Sequence, residues 1–213
     1  MRFTENEMVF FNSITRGNAV LGIPLNFRIK DSEDEEIKRT IRGLIKKSVL
    51  DSETQLSKLG VLPARAFECY KLSSRHVIIN YMHIAFYGED ESIVIVPLDN
   101  GEYELVKLPR VAILYLLLDR YPVLRKAGEA ERKRAHALDM DEFLRKLKEY
   151  DGNIMTGEFY NNMAVREQVF YWDSAGMYRY DLNRHVQRES DPVSIRRELV
   201  RMLGVDMEVN KNV

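Results

Sequence analysis

The spacing of apolar residues predicts helices in the first part of the chain. Ile37, Ile41 and Leu44 recur with a period of about 3.6 residues, which is typical of a helix that buries one face. Capping-box spacing, which marks helix starts, occurs at Thr4 with Glu7, Ser32 with Glu35, and Ser52 with Gln55. The helix that starts at the last of these is predicted to be short and to close near Gly60. Pro63 is predicted to open a further short helix.

From Val77 onward, β-branched and aromatic residues predominate, which predicts strands. We expect one strand over 76–87 and a second over 92–98 that is apolar on both faces. Asp99-Asn100-Gly101 predicts a hairpin turn, because Asn-Gly favours the positive φ angles of a type I′ turn. A returning strand follows at 103–108. Pro109 is then expected to open a helix.

The helix after Pro109 is hydrophobic on all sides over 111–118, which predicts that it is buried. After Asp139, a helix is predicted with Phe143, Leu144 and Leu147 on its inner face. A loop is expected to follow, at Asp151-Gly152 and Thr156-Gly157.

The pattern of hairpin followed by helix then returns near the end of the chain. Strands are predicted over about 165–173 and 177–183. Asp191 is expected to cap a last helix that has Pro192 at its first position and ends at Gly204.

The repeated order of elements predicts an α+β fold. We expect a central antiparallel β-sheet flanked by two helical bundles, in a duplicated, pseudo-two-fold arrangement. The predicted halves are 1–121, with the N-terminal helices and hairpin, and 122–213, packed on the same sheet as one compact domain. A chance recurrence of hairpin and helix in an α+β protein is the alternative.

Composition narrows the class of protein. The 213 residues are 45% hydrophobic, enough for a packed core, and 32 Lys plus Arg nearly balance 33 Asp plus Glu. This balance argues against a nucleic-acid binder. Cys69 is the sole cysteine, which excludes an internal disulfide and a cysteine-built metal site. Charged residues interrupt the start of the chain, so we expect no signal peptide, no membrane insertion and a cytoplasmic location.

The sequence contains no motif typical of catalysis. A phosphate-binding glycine loop, a nucleophile elbow and a His-Glu-x-x-His helix are all missing. His76 and His83 are an odd number of residues apart, so on one regular strand they would face opposite sides and could not share a metal ion. Asp139, Asp141 and Glu142 are explained by favourable interactions at a helix start. We therefore expect no enzyme, no catalytic residue, no metal and no cofactor.

Arginines concentrate in the last part of the chain and could form a face for acidic protein or phosphate. They are Arg179, Arg184, Arg188, Arg196, Arg197 and Arg201. Acidic residues are interleaved with them, so a solvated face of mixed charge is the alternative. Aromatic residues lie in the same stretch, and Tyr, Trp and Arg dominate the binding energy of protein interfaces. Tyr178 and Arg179 are therefore candidate partner contacts.

The early helices leave a second class of function open. Helix, helix, short helix and hairpin is the order of a winged-helix DNA-binding regulator. The hairpin at Asn100-Gly101 lies far from the third predicted helix, however, and the segment 55–59 is poor in residues that contact bases.

Several short motifs together resemble the EspG-like chaperones of type VII (ESX) secretion systems, including the shorter type found in Firmicutes. They are Leu21-Gly22-Ile23-Pro24-Leu25, Ile41-Arg42-Gly43-Leu44-Ile45 followed by Asp51, and Gly176-Met177-Tyr178-Arg179-Tyr180 followed by Asp191-Pro192. The resemblance is one of order and degenerate motifs over most of the chain.

This resemblance implies a non-enzymatic, cytoplasmic protein that keeps a secretion substrate soluble before export. The implied partner is a helical secreted effector or a small helical type VII substrate, and a second copy of this chain is a further candidate. Implied contacts are the loop Asp99, Asn100 and Gly101 and the exposed side of the helix that carries Arg196, Arg197 and Arg201. No nucleic acid is expected to bind.

Overall fold

The elements follow the change in residue pattern from helical to strand spacing. A computed structural model describes residues 1–16, 20–23, 33–127 and 135–205. The α-helices in these ranges are α1 (Glu5–Ile14), α2 (Glu33–Lys46), α3 (Val61–Leu72), α4 (Arg110–Arg120), α5 (Met140–Leu147) and α6 (Pro192–Leu203). The strands are β1 (Arg2–Thr4), β2 (Leu50–Ser52), β3 (Gln55–Leu56), β4 (Arg75–Ile79), β5 (Met82–Tyr87), β6 (Glu91–Pro97), β7 (Glu102–Pro109), β8 (Ala135–Ala137), β9 (Gly152–Tyr160), β10 (Met163–Trp172), β11 (Met177–Asp181) and β12 (Val186–Ser190). A 3-10 helix covers Pro122–Arg125.

The first of two compact units comprises Met1–Ser74, Tyr81–Gly88 and Ser92–Lys107. Its strands run in the order β1-β7-β6-β5, and β2 and β3 form a separate hairpin. Helix α1 contacts both α2 and α3. Buried aromatic rings fill the core of this unit, and the rings of Phe3 and Phe11 meet edge to face with centroids 4.9 Å apart.

The second unit comprises Arg75–Asn80, Glu89–Glu91 and Leu108–Val213. Its strands run in the order β4-β9-β10-β11-β12-β8, with every neighbouring pair antiparallel. Helix α5 packs on one face of these strands, where Phe143 stacks on Tyr180. Helix α6 lies on the other face, where Glu198 accepts a hydrogen bond from Gln168 of β10.

The α+β fold class with antiparallel strands and flanking helices is therefore confirmed. The duplication, and the division into halves 1–121 and 122–213, stay predictions. Within the parts of the chain that the structure describes, no helix combines the length and hydropathy needed to cross a bilayer.

Local signals at helix ends predicted several elements correctly. Thr4 and Glu7 form a complete capping box at the start of α1. Asp139 caps α5, and its side chain accepts the Glu142 N–H at 2.8 Å. Asp191 caps α6 in the same way, and Gly204 ends that helix in the left-handed conformation, at a φ of 58°.

Four other predictions from the residue pattern fall wholly or partly outside the described ranges. They are an end of the first helix near Gly17-Asn18, the capping role of Ser32, a seam between the halves at about 122–135, and a frayed end over 205–213. Within the described residues, α1 already ends at Ile14.

The helix predicted to start at Ser52 is wrong. Residues 50–56 form the hairpin β2-β3, and Gly60 is the residue before α3 rather than the end of a helix. Ser57 stabilises the turn between β3 and α3, because its hydroxyl donates to the Ser48 carbonyl and accepts the Gly60 N–H. Local side-chain hydrogen bonds of this kind compete with helix formation.

The single strand predicted over 76–87 is also wrong, because the chain turns at Asn80 and forms β4 and β5. Asn80 adopts a positive φ of 53° and exchanges hydrogen bonds with the backbone of Met155. His76 and His83 therefore lie on different strands, so the parity argument against a shared metal does not apply to them.

The hairpin at Asp99-Asn100-Gly101 is confirmed, but the type I′ turn is wrong. Only Gly101 has a positive φ there, 77°, and the Gly101 N–H donates to the Leu98 carbonyl. Leu98 in turn bonds to Glu102, so the loop has three residues with glycine in the left-handed position.

The loop predicted at Asp151-Gly152 and Thr156-Gly157 is wrong from Gly152 onward, because Gly152–Tyr160 form strand β9. Its glycines mislead because they serve close packing within the sheet. A β-carbon on Gly152 would lie 2.6 Å from the Trp172 ring, and one on Gly157 would lie 2.8 Å from the Phe159 ring.

Burial of two helices also differs from the prediction. Helix α4 buries Ile113, Leu114 and Leu117, but the opposite face, with Val111, Tyr115 and Leu116, is exposed. In α5, Phe143 is buried as expected, whereas Leu144 is exposed. Hydrophobicity on all sides of a helix therefore does not mean burial on all sides.

Candidate functional site

Strands β10, β11 and β12 bring arginines to one face of the second unit. Arg179 on β11 lies directly opposite Arg188 on β12. Gln168 on β10 lies opposite Asp181 on β11, and Arg166 precedes Gln168 by two residues. Because residues two apart on a strand share a face, these side chains point to the same side, the side that carries α6.

The side chains on this face border a pocket of about 290 Å³. Arg166, Arg179, Arg184 and Arg188 line it, with Val165 and Val186 as apolar walls and Asp181 as its acid. We call this the arginine pocket. It is therefore a small, mainly basic recess on a sheet face.

Part of the charge at the arginine pocket is neutralised within the protein. Arg166 pairs with Glu198 of α6, with Nη1 and Oε1 2.6 Å apart. The carboxylate of Asp181 accepts the backbone N–H groups of Asn183 and Arg184 at 3.1 and 3.0 Å, which shapes the turn between β11 and β12.

The remaining guanidinium groups of the pocket are not used in this way. The side chains of Arg179, Arg184 and Arg188 form no hydrogen bond or ion pair with a described residue. Burial lowers the pKa of Arg179, Glu198 opposes this shift, and the positive charges of Arg188 and Arg166 reinforce it. Unpaired positive charge is thus concentrated at one point.

An ion-pair network beside the pocket fixes α6 to the sheet. Arg201 of α6 donates to Glu158 of β9 and also to Glu198 on its own helix. These hydrogen bonds raise the pKa of Arg201. Burial pushes the pKa of Glu198 upward, but hydrogen bonds from Arg201 and Arg166 outweigh it and leave that pKa below its ordinary value.

Exposed apolar side chains lie next to the pocket, at the end of the β9-β10 hairpin. Asn161 and Asn162 form its turn, both with positive φ. Met163 is 69% exposed and lies opposite the exposed Tyr160. The pairing then shifts at Val165, which is exposed and also borders the pocket.

Register places these apolar residues on the face of the arginines. Glu158 lies opposite Arg166, and Tyr160 follows Glu158 by two residues. We call Tyr160, Met163 and Val165 the hairpin end. The hairpin end and the arginine pocket therefore share one side of the sheet, which is the combination of apolar and arginine side chains typical of protein interfaces.

A model of a known protein family matches most of the chain. Residues 1–182 match the profile of a family described as a domain of unknown function (DUF5081). The chain belongs to this family. No curated protein matches it.

Among solved structures, the DUF5081 chain is similar to that of the Mycobacterium tuberculosis type VII secretion system chaperone EspG5 in complex with a PE25-PPE41 dimer. The identity is 10%, the match covers 95% of each chain, and the TM-score is 0.48.

The residues predicted from sequence as partner contacts have different environments in this DUF5081 chain. Arg179 lines the arginine pocket. Arg196 instead donates to the backbone carbonyls of Leu124 and Lys126, so it holds α6 to the 3-10 helix. Arg201 is engaged by Glu158, as described, and Arg197 is exposed on α6.

Tyr178 is on the opposite face of β11 from Arg179. Its ring stacks on Tyr171 with centroids 5.4 Å apart, and burial raises its pKa. The loop Asp99-Asn100-Gly101 is exposed and belongs to the first unit. A partner role for each of these residues stays a prediction.

Sequence reasoning missed the hairpin end and Arg166. The glycines at 152 and 157 are typical of a loop, so the sequence pattern does not indicate strand β9. Without β9, the antiparallel partner of β10 is missing from the prediction. Alternation of Arg166 and Gln168 along one strand was the available signal, because it places both on one face.

Proposed function

We propose that this protein is a non-enzymatic chaperone or adaptor, which binds a helical type VII secretion substrate in the cytoplasm and keeps it soluble before export. One observation carries the binding role: exposed apolar side chains at the hairpin end continue into a pocket in which the side chains of Arg179, Arg184 and Arg188 are unpaired among the described residues. The secretion context rests on the sequence motifs described above.

The composition of this surface supports a protein ligand. Tyrosine, methionine and arginine are enriched where proteins meet, and clustered exposed apolar residues mark interaction sites. A chaperone of this type needs an apolar contact surface with charge beside it, and it needs no reaction chemistry.

The winged-helix alternative requires a short third helix that starts at Ser52, and the structure does not contain that helix. Residues 50–56 form a hairpin in place of the third short helix. A winged-helix regulator would also be retained on DNA at low salt, with a steep salt dependence, whereas a chaperone for a protein substrate would not. We expect no such retention.

Co-expression tests the proposal. The chain is expressed with small helical secreted proteins encoded beside its gene, and complexes are separated by gel filtration. We expect a stable complex with one of them. If every such neighbour elutes separately from this chain, the proposal is wrong.

Matched variants then test the surface. Met163→Ser removes an exposed apolar side chain from the hairpin end, and we expect about a tenfold loss of affinity for the substrate. Leu62→Ser is the control, since Leu62 on α3 is 68% exposed and equally apolar. Equal losses from both variants would contradict a role for the hairpin end.

A further inference from the structure

The arginine pocket holds more positive charge than its surroundings neutralise. Arg179 and Arg188 face each other across β11 and β12, and neither forms an ion pair with a described residue. Like charges directly opposite on neighbouring strands destabilise a sheet. An anion between the two guanidinium groups removes this repulsion.

We propose that the arginine pocket binds a carboxylate-bearing segment of the partner protein, in which acidic side chains adjoin apolar ones. This inference rests on the proposed function and adds the chemistry of the partner. Arg179 and Arg188 donate to the acidic side chains, and the hairpin end receives the apolar ones.

The geometry of arginine favours this ligand. A guanidinium group presents paired N–H donors that match the two oxygens of a carboxylate. Arg179 and Arg188 are presented by paired strands rather than by flexible loops, so their backbones are already in place before the ligand arrives.

The surroundings of the arginines favour a protein segment over a free phosphate ion. Val165 and Val186 give the pocket apolar walls, which suit the methylene groups of glutamate. Val165 also links the pocket to the exposed Met163. A free phosphate ion makes no use of these apolar contacts, and its second negative charge is repelled by Asp181 at the pocket wall.

Peptide binding to the full-length chain tests the inference. The probes are two fluorescein-labelled helical peptides, one with glutamate pairs beside leucine and phenylalanine, the other with glutamine at every glutamate position. Fluorescence anisotropy at fixed ionic strength measures both affinities. We expect the glutamate peptide to bind at least about tenfold more tightly, because charge-assisted hydrogen bonds are the stronger kind.

Paired substitutions test whether the pocket is responsible. The double variant Arg179→Gln, Arg188→Gln is expected to bind the two peptides equally. The control is Arg39→Gln with Arg42→Gln, which removes two exposed arginines from α2 and the same net charge. It should keep the preference for glutamate. Loss of the preference in the control as well would show attraction to net charge alone and overturn the inference.

Competition separates carboxylate from phosphate. Sodium phosphate and pyrophosphate are titrated against the bound glutamate peptide at constant ionic strength. We expect displacement only at concentrations far above the dissociation constant of the peptide. Tighter binding of pyrophosphate than of the peptide would identify a phosphate site and overturn the inference.

The remaining outcomes separate this inference from the proposed function. If both peptides bind equally to the wild-type chain, or neither binds, the carboxylate inference is overturned. The chaperone function is judged independently, by complex formation with the co-expressed substrate and its loss in Met163→Ser. That function stands if the substrate binds regardless of the arginine pocket.

Discussion

Arg201 on α6 donates hydrogen bonds to both carboxylate oxygens of Glu158 on β9. The Glu158 carboxylate is almost fully buried, whereas the Arg201 side chain is 48% exposed. Arg75 approaches the same carboxylate at 4.0 Å, too far for a hydrogen bond. Arg201 is therefore the arginine that hydrogen-bonds to this buried carboxylate, and Arg75 adds a longer-range ion pair.

The change Arg201→Gln is expected to destabilise the protein. Removing one partner of a buried ion pair leaves the other charge uncompensated, and exposure of Arg201 reduces the effect to about 1–3 kcal/mol. Urea denaturation at neutral pH measures the loss. Lys38→Gln, in an exposed pair with Glu35, should cost less than about 0.5 kcal/mol. Equal costs would contradict the assignment.

Neighbouring residues on α5 should respond very differently to truncation. Phe143 is 1% exposed and its ring stacks on Tyr180 with centroids 4.0 Å apart. Phe143→Ala is expected to lose about 3–5 kcal/mol, because it leaves a cavity. Leu144→Ala should lose less than about 1 kcal/mol, since Leu144 is exposed. Midpoints of urea denaturation distinguish the two variants. A larger loss of stability for Leu144→Ala than for Phe143→Ala would contradict the assignment of Phe143 to the buried face of α5.

Glycines at two turns should also differ. A β-carbon on Gly60 would lie 1.9 Å from the Val49 carbonyl oxygen, so Gly60→Ala must displace backbone. We expect a loss of more than about 2 kcal/mol. Gly88 has open space around it and a φ of 62°, so Gly88→Ala should cost only the left-handed strain of about 1 kcal/mol. Midpoints of thermal and urea denaturation measure the loss of stability in each variant. A larger loss for Gly88→Ala than for Gly60→Ala would contradict the prediction.

Acid should weaken the attachment of α6. The pKa of Glu198 is lower in the folded protein than in the unfolded chain, because Arg201 and Arg166 bind its charged form. The stability that this shift contributes is present above the unfolded pKa of about 4.3, and it is lost as pH falls through the lower folded pKa. Urea midpoints between pH 6 and pH 3 should therefore fall less steeply for Glu198→Gln. Parallel profiles would contradict the prediction.

Prediction from sequence succeeded where the cause is local. The capping box of Thr4 and Glu7, the cap at Asp191 and the left-handed Gly204 each depend on residues a few positions apart. The turn at Gly101 depends on the conformational freedom of glycine at that position. These signals predicted where helices and the main hairpin begin and end.

Prediction failed where distant residues decide the outcome. The chain turns at Asn80 because that residue bonds to Met155, which is 75 positions away. Gly152 lies in a strand because the Trp172 ring covers it from the neighbouring strand. The residues adjacent to Asn80 and Gly152 in sequence carry no information about such distant contacts.

The sequence by itself determined the α+β class, the helix caps, the Asp99-Asn100-Gly101 hairpin and the concentration of arginine near the end of the chain. Only the tertiary structure decided how those arginines are used. Strand register set Arg179 beside Arg188 and placed Arg166 on the same face, while packing of α6 committed Arg196 and Arg201 to backbone carbonyls and to Glu158. The physical reason is that charge and residue type belong to single positions, whereas pairing and burial depend on segments that meet only when the chain folds.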